Sequence, residues 1–260
     1  MRLQHGRDRE PRPPSIIDSL QLEDSHVPAI SPAKHLLVIG ASRGLGLALA
    51  EEYLRRGWHV VATERQASRS GLRDLSRVAE GRLEIEMVDV DHPDQVAGLR
   101  SHLSGRSFDV LFVNAGVMND DRETIADVST DEFVRVMVTN ALSPLRAIEA
   151  LQDLVAVRGT IAVMSSGLGS VADNQRGGFE VYRGSKAALN TFLRSYAARH
   201  ANDPRTLLLM APGWVRTDMG GPEAHLSIEE SIPNLANTMD AQAGKAGLQY
   251  LDYLGNTIPW

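Results

Sequence analysis

The chain has 260 residues, a formal net charge of −6 and no cysteine, and 43% of its residues are hydrophobic. This length suits one large domain or two small ones, and the apolar fraction is sufficient for a core. The acidic balance argues against nucleic acid as a partner. Without cysteine there can be no disulfide, thiolate nucleophile or thiolate metal ligand. No apolar run reaches the roughly 18 residues of a membrane span, so we expect no membrane partner.

Residues 1–33 differ from the rest, since they are charged and rich in proline around Arg7–Pro14. This composition predicts a disordered or loosely packed N-terminal arm, followed by a single domain over residues 34–260. A start placed too far upstream is the alternative. The arm has no hydrophobic core of a secretory signal, and its acidic residues disfavour a transit peptide. A cytoplasmic location is therefore expected.

A glycine loop follows the first predicted strand. The apolar run His35–Ile39 leads directly into Gly40-Ala-Ser-Arg-Gly44-Leu-Gly46, and a helical pattern then extends to Arg56. In a strand–loop–helix unit, such glycines let the backbone approach a pyrophosphate, whose charge the helix N-terminus favours. The pattern predicts a dinucleotide site, with an ordinary glycine-rich turn as the alternative.

The second predicted strand, residues 58–63, ends in Glu64 and Arg65. An acid near this position can accept both ribose hydroxyls of NAD, whereas an arginine favours the 2′-phosphate of NADP. Arg43 in the glycine loop is a second candidate cation. The two cations outnumber the one carboxylate and so favour NADP(H) as the coenzyme. Because Glu64 is present, NAD(H) remains the alternative coenzyme. A solvated charge is the alternative for Arg65.

Strand and helix patterns alternate through the rest of the chain. Strands are predicted over 83–88, 108–113, 159–164, 206–210 and 248–254, and helices over 71–79, 93–103, 131–155, about 179–197 and from 227. This alternation predicts an α/β, Rossmann-type doubly wound parallel sheet of about seven strands in a single domain. Gly40, Glu64, Asp89, Asn114, Ser166 and Pro212 all fall at carboxyl ends of strands, which predicts that they converge on one crevice.

Tyr182 and Lys186 lie four residues apart in a helical pattern and so share one face. A cation beside a phenol favours the phenolate, which predicts that the pKa of Tyr182 falls from about 10 toward neutrality. Such a tyrosine can act as a general acid or base. Lysine is scarce here, at three residues, which favours a chemical role. The alternative is a lysine whose stem covers apolar surface.

Asn140 lies near the middle of the predicted helix 131–155. Asparagine is unfavourable there because its side chain competes for backbone hydrogen bonds. Its position predicts a local kink or a function, and a buried asparagine with satisfied hydrogen bonds is the alternative.

These motifs together resemble the short-chain dehydrogenase/reductase family over residues 35–260. The glycine loop resembles its Gly-x3-Gly-x-Gly motif, Asn114-Ala115-Gly116 its Asn-Ala-Gly, and Asn140, Ser166, Tyr182 and Lys186 its catalytic tetrad. Three features resemble the C-factor-like and sniffer-like carbonyl reductases: the long Ser166–Tyr182 gap, the segment 212–222, and Ile258-Pro259-Trp260. Ile39 and Glu64 depart from the family pattern, and Glu64 puts the coenzyme in doubt.

The resemblance implies an NAD(P)(H)-dependent carbonyl reductase or alcohol dehydrogenase acting on a small carbonyl or alcohol. Tyr182 would be the acid/base, Lys186 its pKa tuner and a ribose contact, Ser166 the stabiliser of the substrate oxygen, and Asn140 a water relay. The residues implied to bind the coenzyme are Gly40, Ser42, Arg43, Gly44, Leu45, Gly46, Glu64, Arg65, Asp89, Val90, Asn114, Ala115, Gly116, Tyr182, Lys186, Pro212, Gly213, Val215 and Thr217. A homodimer or homotetramer is expected by family analogy.

Other function classes remain open. One is a catalytically idle, dinucleotide-binding regulatory or signalling protein on the same scaffold. Another is an epimerase or dehydratase of the larger relatives, although 260 residues leave little room for their substrate domain. The eight histidines show no ligand spacing such as His-Glu-x-x-His, so no metal site is expected.

Overall fold

The structure is a computed structural model that describes residues 33–66 and 71–260. Seven strands in these ranges pair in parallel. They are β1 (His35–Ile39), β2 (His59–Glu64), β3 (Leu83–Met87), β4 (Phe108–Val113), β5 (Val155–Met164), β6 (Thr206–Ala211) and β7 (Gly247–Asp252). Their order in the sheet is β3-β2-β1-β4-β5-β6-β7. The predicted seven-stranded parallel sheet is therefore confirmed.

Helices cover both faces of this sheet. They are α1 (Gly44–Arg55), α2 (Gly71–Val78), α3 (Pro93–His102), α4 (Thr130–Met137), α5 (Ser143–Leu151), α6 (Glu180–Arg199) and α7 (Ile228–Gln242). Helices α3, α5 and α6 contribute to one buried apolar cluster, and α1, α2 and α7 to the other. Successive strand residues point to opposite faces. Leu36 and Leu37 of β1 accordingly enter different clusters.

The strand order reverses direction between β1 and β4. The chain moves from β1 to β2 and β3 on one side and then crosses to β4 on the other. Such a switch point opens a crevice beyond the carboxyl ends of the strands, where ligands bind in this class of sheet. The backbone N–H of Asn114 donates to the carbonyl of Ile39 at 2.9 Å, which holds the ends of β4 and β1 together.

The predicted helix 131–155 is helical over nearly its whole length, but it is not one regular α-helix. Helix α4 passes into a π-helical turn at Val138–Leu142 and then into α5, and a 3₁₀ turn at Gln152–Leu154 follows. Strand β5 begins at Val155 rather than at residue 159, and its pairing with β4 shifts register between Phe108 and Val110. The strand thus starts directly where the helical turns end, four residues earlier than predicted.

The predicted arm over residues 1–33 lies, apart from Ala33, outside the described residues. Among the residues that are described, no helix combines the length and the apolar character needed to cross a membrane.

Candidate active site

The glycine loop between β1 and α1 is closely packed at Gly40 and Gly46, where a side chain would have no room. A Cβ on Gly46 would lie 2.2 Å from the Gly40 carbonyl oxygen and 2.5 Å from Asn114 Nδ2. Asn114 Nδ2 donates to that same carbonyl at 2.7 Å. Gly40 has φ +90°, a left-handed conformation that glycine adopts without strain. The β4 end thus holds the loop in a fixed shape.

The N-terminus of α1, which follows this loop, is suited to binding an anion. Arg43 is the N-cap residue, and its side chain makes no capping hydrogen bond. The first turn contains no acidic residue. The free N–H groups and the helix dipole at such a terminus favour a phosphate group. Ser42, Leu45 and Gly46 belong to the same loop and turn.

The segment after β6 faces the glycine loop. Arg43 Nη1 and Asp218 Oδ2 form an exposed ion pair at 3.1 Å. Thr217 Cγ2 is 3.9 Å from where a Cβ on Gly44 would lie. The same segment is anchored to α7, because Ser231 Oγ of that helix donates to the Pro212 carbonyl at 2.6 Å. Val215 is buried in it, and Gly213 has φ +81°.

Glu64 at the end of β2 is buried and paired. Its Oε1 accepts from Arg73 Nη2 of α2 at 3.0 Å, and the Glu64 side chain is 0% exposed. Its Oε2 is buried without a hydrogen-bond partner among the described residues. Arg65 is exposed. From the sequence, we expected the Glu64 carboxylate to disfavour a bound phosphate. In the structure, Arg73 partly neutralises the charge of that carboxylate. No motif in the sequence indicates a role for Arg73.

The segment after β3 connects to the π-helical turn. Asp89 Oδ1 accepts from the Asp91 backbone N–H at 3.1 Å, and Val90 is buried. Asp91 Oδ2 accepts from Thr139 Oγ1 at 2.6 Å. This bond ties the end of β3 to the residue before Asn140. Neither Asp91 nor Thr139 belongs to a motif that is recognisable in the sequence.

Asn140 is fully buried and joins two parts of the site. Its Nδ2 donates to the Val117 carbonyl at 2.7 Å and to Ser185 Oγ at 2.9 Å. Its Oδ1 accepts from the Val117 backbone N–H at 2.8 Å. Both amide hydrogens are therefore used, and one lone pair of Oδ1 remains. The π-helical turn is the predicted kink, and it directs Asn140 toward α6.

Gly116 lies beside both Asn140 and Lys186. A Cβ at this glycine would be 3.4 Å from Asn140 Oδ1 and 3.5 Å from Lys186 Nζ. The Asn114-Ala115-Gly116 segment therefore brings these two polar groups near one point. Ala115 packs at the edge of the apolar cluster that contains α6.

Lys186, Tyr182 and Ser166 meet at the end of β5. Lys186 Nζ donates to the Met164 carbonyl at 2.9 Å and lies 5.8 Å from the centre of the Tyr182 ring. Ser166 Oγ accepts from the Leu168 backbone N–H at 3.1 Å. Since Oγ is an acceptor in that bond, its own O–H remains available to donate. The four predicted tetrad residues thus come together.

The predicted lowering of the Tyr182 pKa was wrong in direction. Burial of the phenol raises the pKa of Tyr182 to about 12, and the nearby Ser166 hydroxyl offsets this only in part. Burial also lowers the pKa of Lys186 to about 8, since the ammonium has left water. Desolvation therefore dominates the cation's effect on the phenol. Tyr182 is protonated at neutral pH.

A further layer lies behind Ser166. The Tyr250 hydroxyl of β7 donates to the Ser166 carbonyl. Ser165 Oγ donates to Asn190 Oδ1 at 2.6 Å. Asn190 falls four residues after Lys186, so the helical spacing could have placed it on the same face. No sequence signal connects Tyr250 to Ser166, 84 residues away.

A family model described as short chain dehydrogenase matches residues 34–225. The chain belongs to this family. Short-chain dehydrogenases are oxidoreductases, which agrees with the dinucleotide loop and the tyrosine–lysine pair described above. The family predicted from the motifs is confirmed.

Individual members of the family are also similar to the chain. C-signal of Myxococcus xanthus is 37% identical over 155 residues, which is 58% of this chain and 92% of that protein. A solved short-chain dehydrogenase/reductase from Burkholderia multivorans with bound NADP is 55% identical, with a TM-score of 0.87. That match covers 88% of this chain and 100% of the other.

A carbonyl reductase from Pseudomonas aeruginosa PAO1, solved in complex with NADP, is 37% identical, with a TM-score of 0.82. That match covers 88% of this chain and 100% of the reductase. C-signal and this reductase both support the predicted branch of the family.

Proposed function

We propose that this short-chain dehydrogenase is an NADP(H)-dependent carbonyl reductase that can also oxidise the corresponding alcohol. One observation carries the proposal: Ser166, Tyr182 and Lys186 meet at the end of β5, in the crevice that the glycine loop borders. The NADP complexes of the Burkholderia and Pseudomonas proteins support the coenzyme, and the latter protein supports the reaction.

The residues present fit a dinucleotide. Gly40 and Gly46 of the glycine loop have no room for a side chain, and the first turn of α1 directs uncapped N–H groups toward the crevice. Arg65 is an exposed cation near the 2′-phosphate position of the fold, Arg43 is an exposed cation that also pairs with Asp218, and Glu64 is neutralised in part by Arg73. This balance of charge supports NADP(H) over NAD(H). The bound nicotinamide would supply or accept the hydride.

The remaining coenzyme contacts follow the fold. Asp89 and Val90 would lie along the adenine, and Asn114, Ala115 and Gly116 along the adenosine ribose. Pro212, Gly213, Val215 and Thr217 would hold the nicotinamide end, with Thr217 toward the carboxamide. Their positions at the ends of β3, β4 and β6 support these roles.

In reduction, Tyr182 would protonate the developing alkoxide of the substrate. Its raised pKa suits this direction, because the phenol carries its proton at neutral pH. Ser166, whose O–H is free to donate, would stabilise the charge on the same oxygen.

Lys186 and Asn140 would support this proton transfer. One Lys186 N–H is used by the Met164 carbonyl, so two remain for the ribose of the nicotinamide. Asn140 has only the second lone pair of Oδ1 left, and this atom would hold a water beside Lys186. Lys186 would then act by holding the coenzyme and passing on a proton rather than by lowering the pKa of Tyr182.

A second candidate is a dinucleotide-binding signalling protein that does not turn over a carbonyl. The similarity to C-signal of Myxococcus xanthus favours this candidate. The four tetrad side chains brought together in one site favour the enzyme.

A coenzyme-oxidation screen separates the two candidates. NADPH and NADH are each incubated with the protein and a panel of aldehydes, ketones, diketones and quinones, and loss of reduced coenzyme is followed by absorbance. We expect turnover of at least one carbonyl class, with NADPH preferred. Tight coenzyme binding without any turnover would instead support the signalling candidate.

A further inference from the structure

Tyr250 reaches from β7 to the end of β5. Strand β6 lies between these two strands, and Tyr250 pairs with Leu209, which in turn pairs with Val163. The tyrosine is 1% exposed and packs in the apolar cluster that includes α6. Its hydroxyl donates to the carbonyl of Ser166, just beyond the end of β5. A side chain two strands away therefore helps to hold the backbone of a tetrad residue.

The segment that carries Ser166 is held against α6 as well. Ser165 Oγ donates to Asn190 Oδ1 at 2.6 Å, and Asn190 Nδ2 donates to the Gly169 carbonyl at 3.3 Å. A Cβ on Gly169 would lie 3.0 Å from Lys186 Cβ, so this segment packs directly on the helix. These contacts bracket Ser166 on both sides. Its own carbonyl accepts from the Gly169 backbone N–H at 2.9 Å, and Tyr250 provides the side-chain donor to the same oxygen.

Tyr250 is itself fixed by the segment that follows β7. Its backbone carbonyl accepts from Ile258 N–H at 2.9 Å, and its ring lies 5.5 Å from that of Trp260. The carbonyl of Trp260 accepts from the Ala172 backbone N–H at 3.0 Å. The guanidinium of Arg194 on α6 lies 4.6 Å from the Trp260 ring centre. The phenol therefore has little freedom to leave Ser166.

We propose that Tyr250 is a positioning residue for Ser166. The inference rests on the proposed role of Ser166 as the donor to the substrate oxygen. The Tyr250 bond, together with that from Gly169 N–H, holds the peptide group after Ser166 and so fixes the backbone position from which the Ser166 side chain extends. A donor must be aimed closely at the oxygen on which charge develops, and displacement by about 1 Å can cost up to about 10²-fold in rate.

The test compares two buried tyrosines that each lose one hydroxyl. Tyr250→Phe keeps the ring against Trp260 and removes the bond to Ser166. Tyr196→Phe is the matched control, since Tyr196 is 0% exposed and its hydroxyl donates to Gln152 Oε1 at 2.6 Å. We expect kcat to fall about tenfold in Tyr250→Phe and to stay near the wild-type value in Tyr196→Phe. The Kd for NADPH should change less than about twofold in both variants.

A double-mutant cycle with Ser166→Ala separates positioning from a general loss of stability. In the Ser166→Ala background, Tyr250→Phe should cause no further fall in kcat, because there is no hydroxyl left to aim. The same fractional loss in both backgrounds, or a wild-type rate in Tyr250→Phe alone, would overturn the inference. A wild-type protein that turns over none of the carbonyls would remove the proposed function and this inference together, so the two failures are distinguishable.

Discussion

Glu64 shows how burial changes the meaning of a charged residue. From the sequence it was a carboxylate at the end of a strand, set against the cations Arg43 and Arg65. In the structure it is buried, and a buried carboxylate requires a partner. Arg73 is that partner, at 3.0 Å. The sequence could not identify the pair, because α2 approaches β2 only in the folded chain.

Arg73→Ala should weaken the preference for NADPH. Glu64 would lose its cation, and its uncompensated charge would repel the 2′-phosphate. We expect the ratio of the NADH Kd to the NADPH Kd to fall about tenfold, as measured by fluorescence titration of each coenzyme. The control is Arg77→Ala, in the same helix, where the exposed pair with Asp74 is lost instead.

The double variant Glu64→Gln/Arg73→Ala tests whether Arg73 affects coenzyme choice through the charge of Glu64. With no charge at residue 64, the loss of Arg73 should leave the coenzyme ratio near that of Glu64→Gln alone. An unchanged ratio in Arg73→Ala, or an equal fall in both backgrounds, would show that Glu64 does not link Arg73 to coenzyme choice.

The Tyr182–Lys186 pair shows a second limit of what the sequence predicts about single residues. Helical spacing placed Tyr182 and Lys186 on one face of a helix, and both lie on α6. The direction of the Tyr182 pKa shift did not follow, because it depends on how much water each group loses in the fold. Spacing predicts which groups are neighbours, whereas the pKa requires their burial.

At the scale of elements, the segment around Asn140 was predicted in part. Asparagine in a helical pattern indicated a kink, and a π-helical turn is found there. The form of the kink was not predictable, since it depends on bonds from Asn140 to Val117 and Ser185. The start of β5 was missed because Val155 and Val157 suit a strand only once β4 is beside them.

Two glycines within helices give a matched test of the glycine loop. Gly46 in α1 has no room for a Cβ, whereas Gly98 in α3 has nothing within 4 Å of that position. Gly46→Ala should displace the loop and weaken NADPH binding roughly tenfold or more. Gly98→Ala should leave binding unchanged and stabilise the protein by about 0.5–1 kcal/mol, because alanine favours the helix. Coenzyme titration and urea unfolding measure the two effects, and wild-type affinity in Gly46→Ala would contradict the close packing.

At the scale of the whole molecule, the alternation of strand and helix patterns was enough to predict the parallel sheet. It also placed Gly40, Glu64, Asp89, Asn114, Ser166 and Pro212 at one edge. Contacts between distant segments were not predictable. Tyr250–Ser166 and Arg43–Asp218 join residues 84 and 175 positions apart, and nothing in the local pattern of either partner indicates the other.

The outer helices α1 and α7 are joined by a charged cluster centred on Glu52. Glu52 accepts from Arg55 and Arg56, and Arg56 also pairs with Asp240 of α7 at 2.6 Å. Burial raises the pKa of Glu52, but the hydrogen bonds from the two arginines outweigh it and hold the pKa below the usual range. The stability from this carboxylate is thus present above the ordinary glutamate pKa and is lost as pH falls through the lowered value.

Glu52→Gln should therefore destabilise the protein in a pH-dependent way. We expect a loss of about 2 kcal/mol in the free energy of unfolding at neutral pH. In acid the difference should shrink, because protonated glutamate resembles glutamine. Urea unfolding at several pH values measures this, with the exposed Asp74→Asn as control. A difference that is the same at all pH values would contradict the role of the charge.

The homodimer or homotetramer expected from the sequence stays a prediction. Several large apolar side chains are exposed on α4, α6 and the π-helical turn, namely Phe133, Val134, Leu142 and Phe192. A large contiguous apolar patch is typical of association surfaces, whereas singly exposed apolar residues are common on any protein.

The central claim is that Tyr182 transfers the proton to a carbonyl oxygen beside a bound coenzyme. Tyr182→Phe tests it most directly, with turnover of a carbonyl substrate and NADPH binding measured on the same preparation. We predict a fall in kcat of about 10²–10⁴-fold with the Kd for NADPH close to the wild-type value. A variant that reduces its substrate at the wild-type rate would contradict the claim.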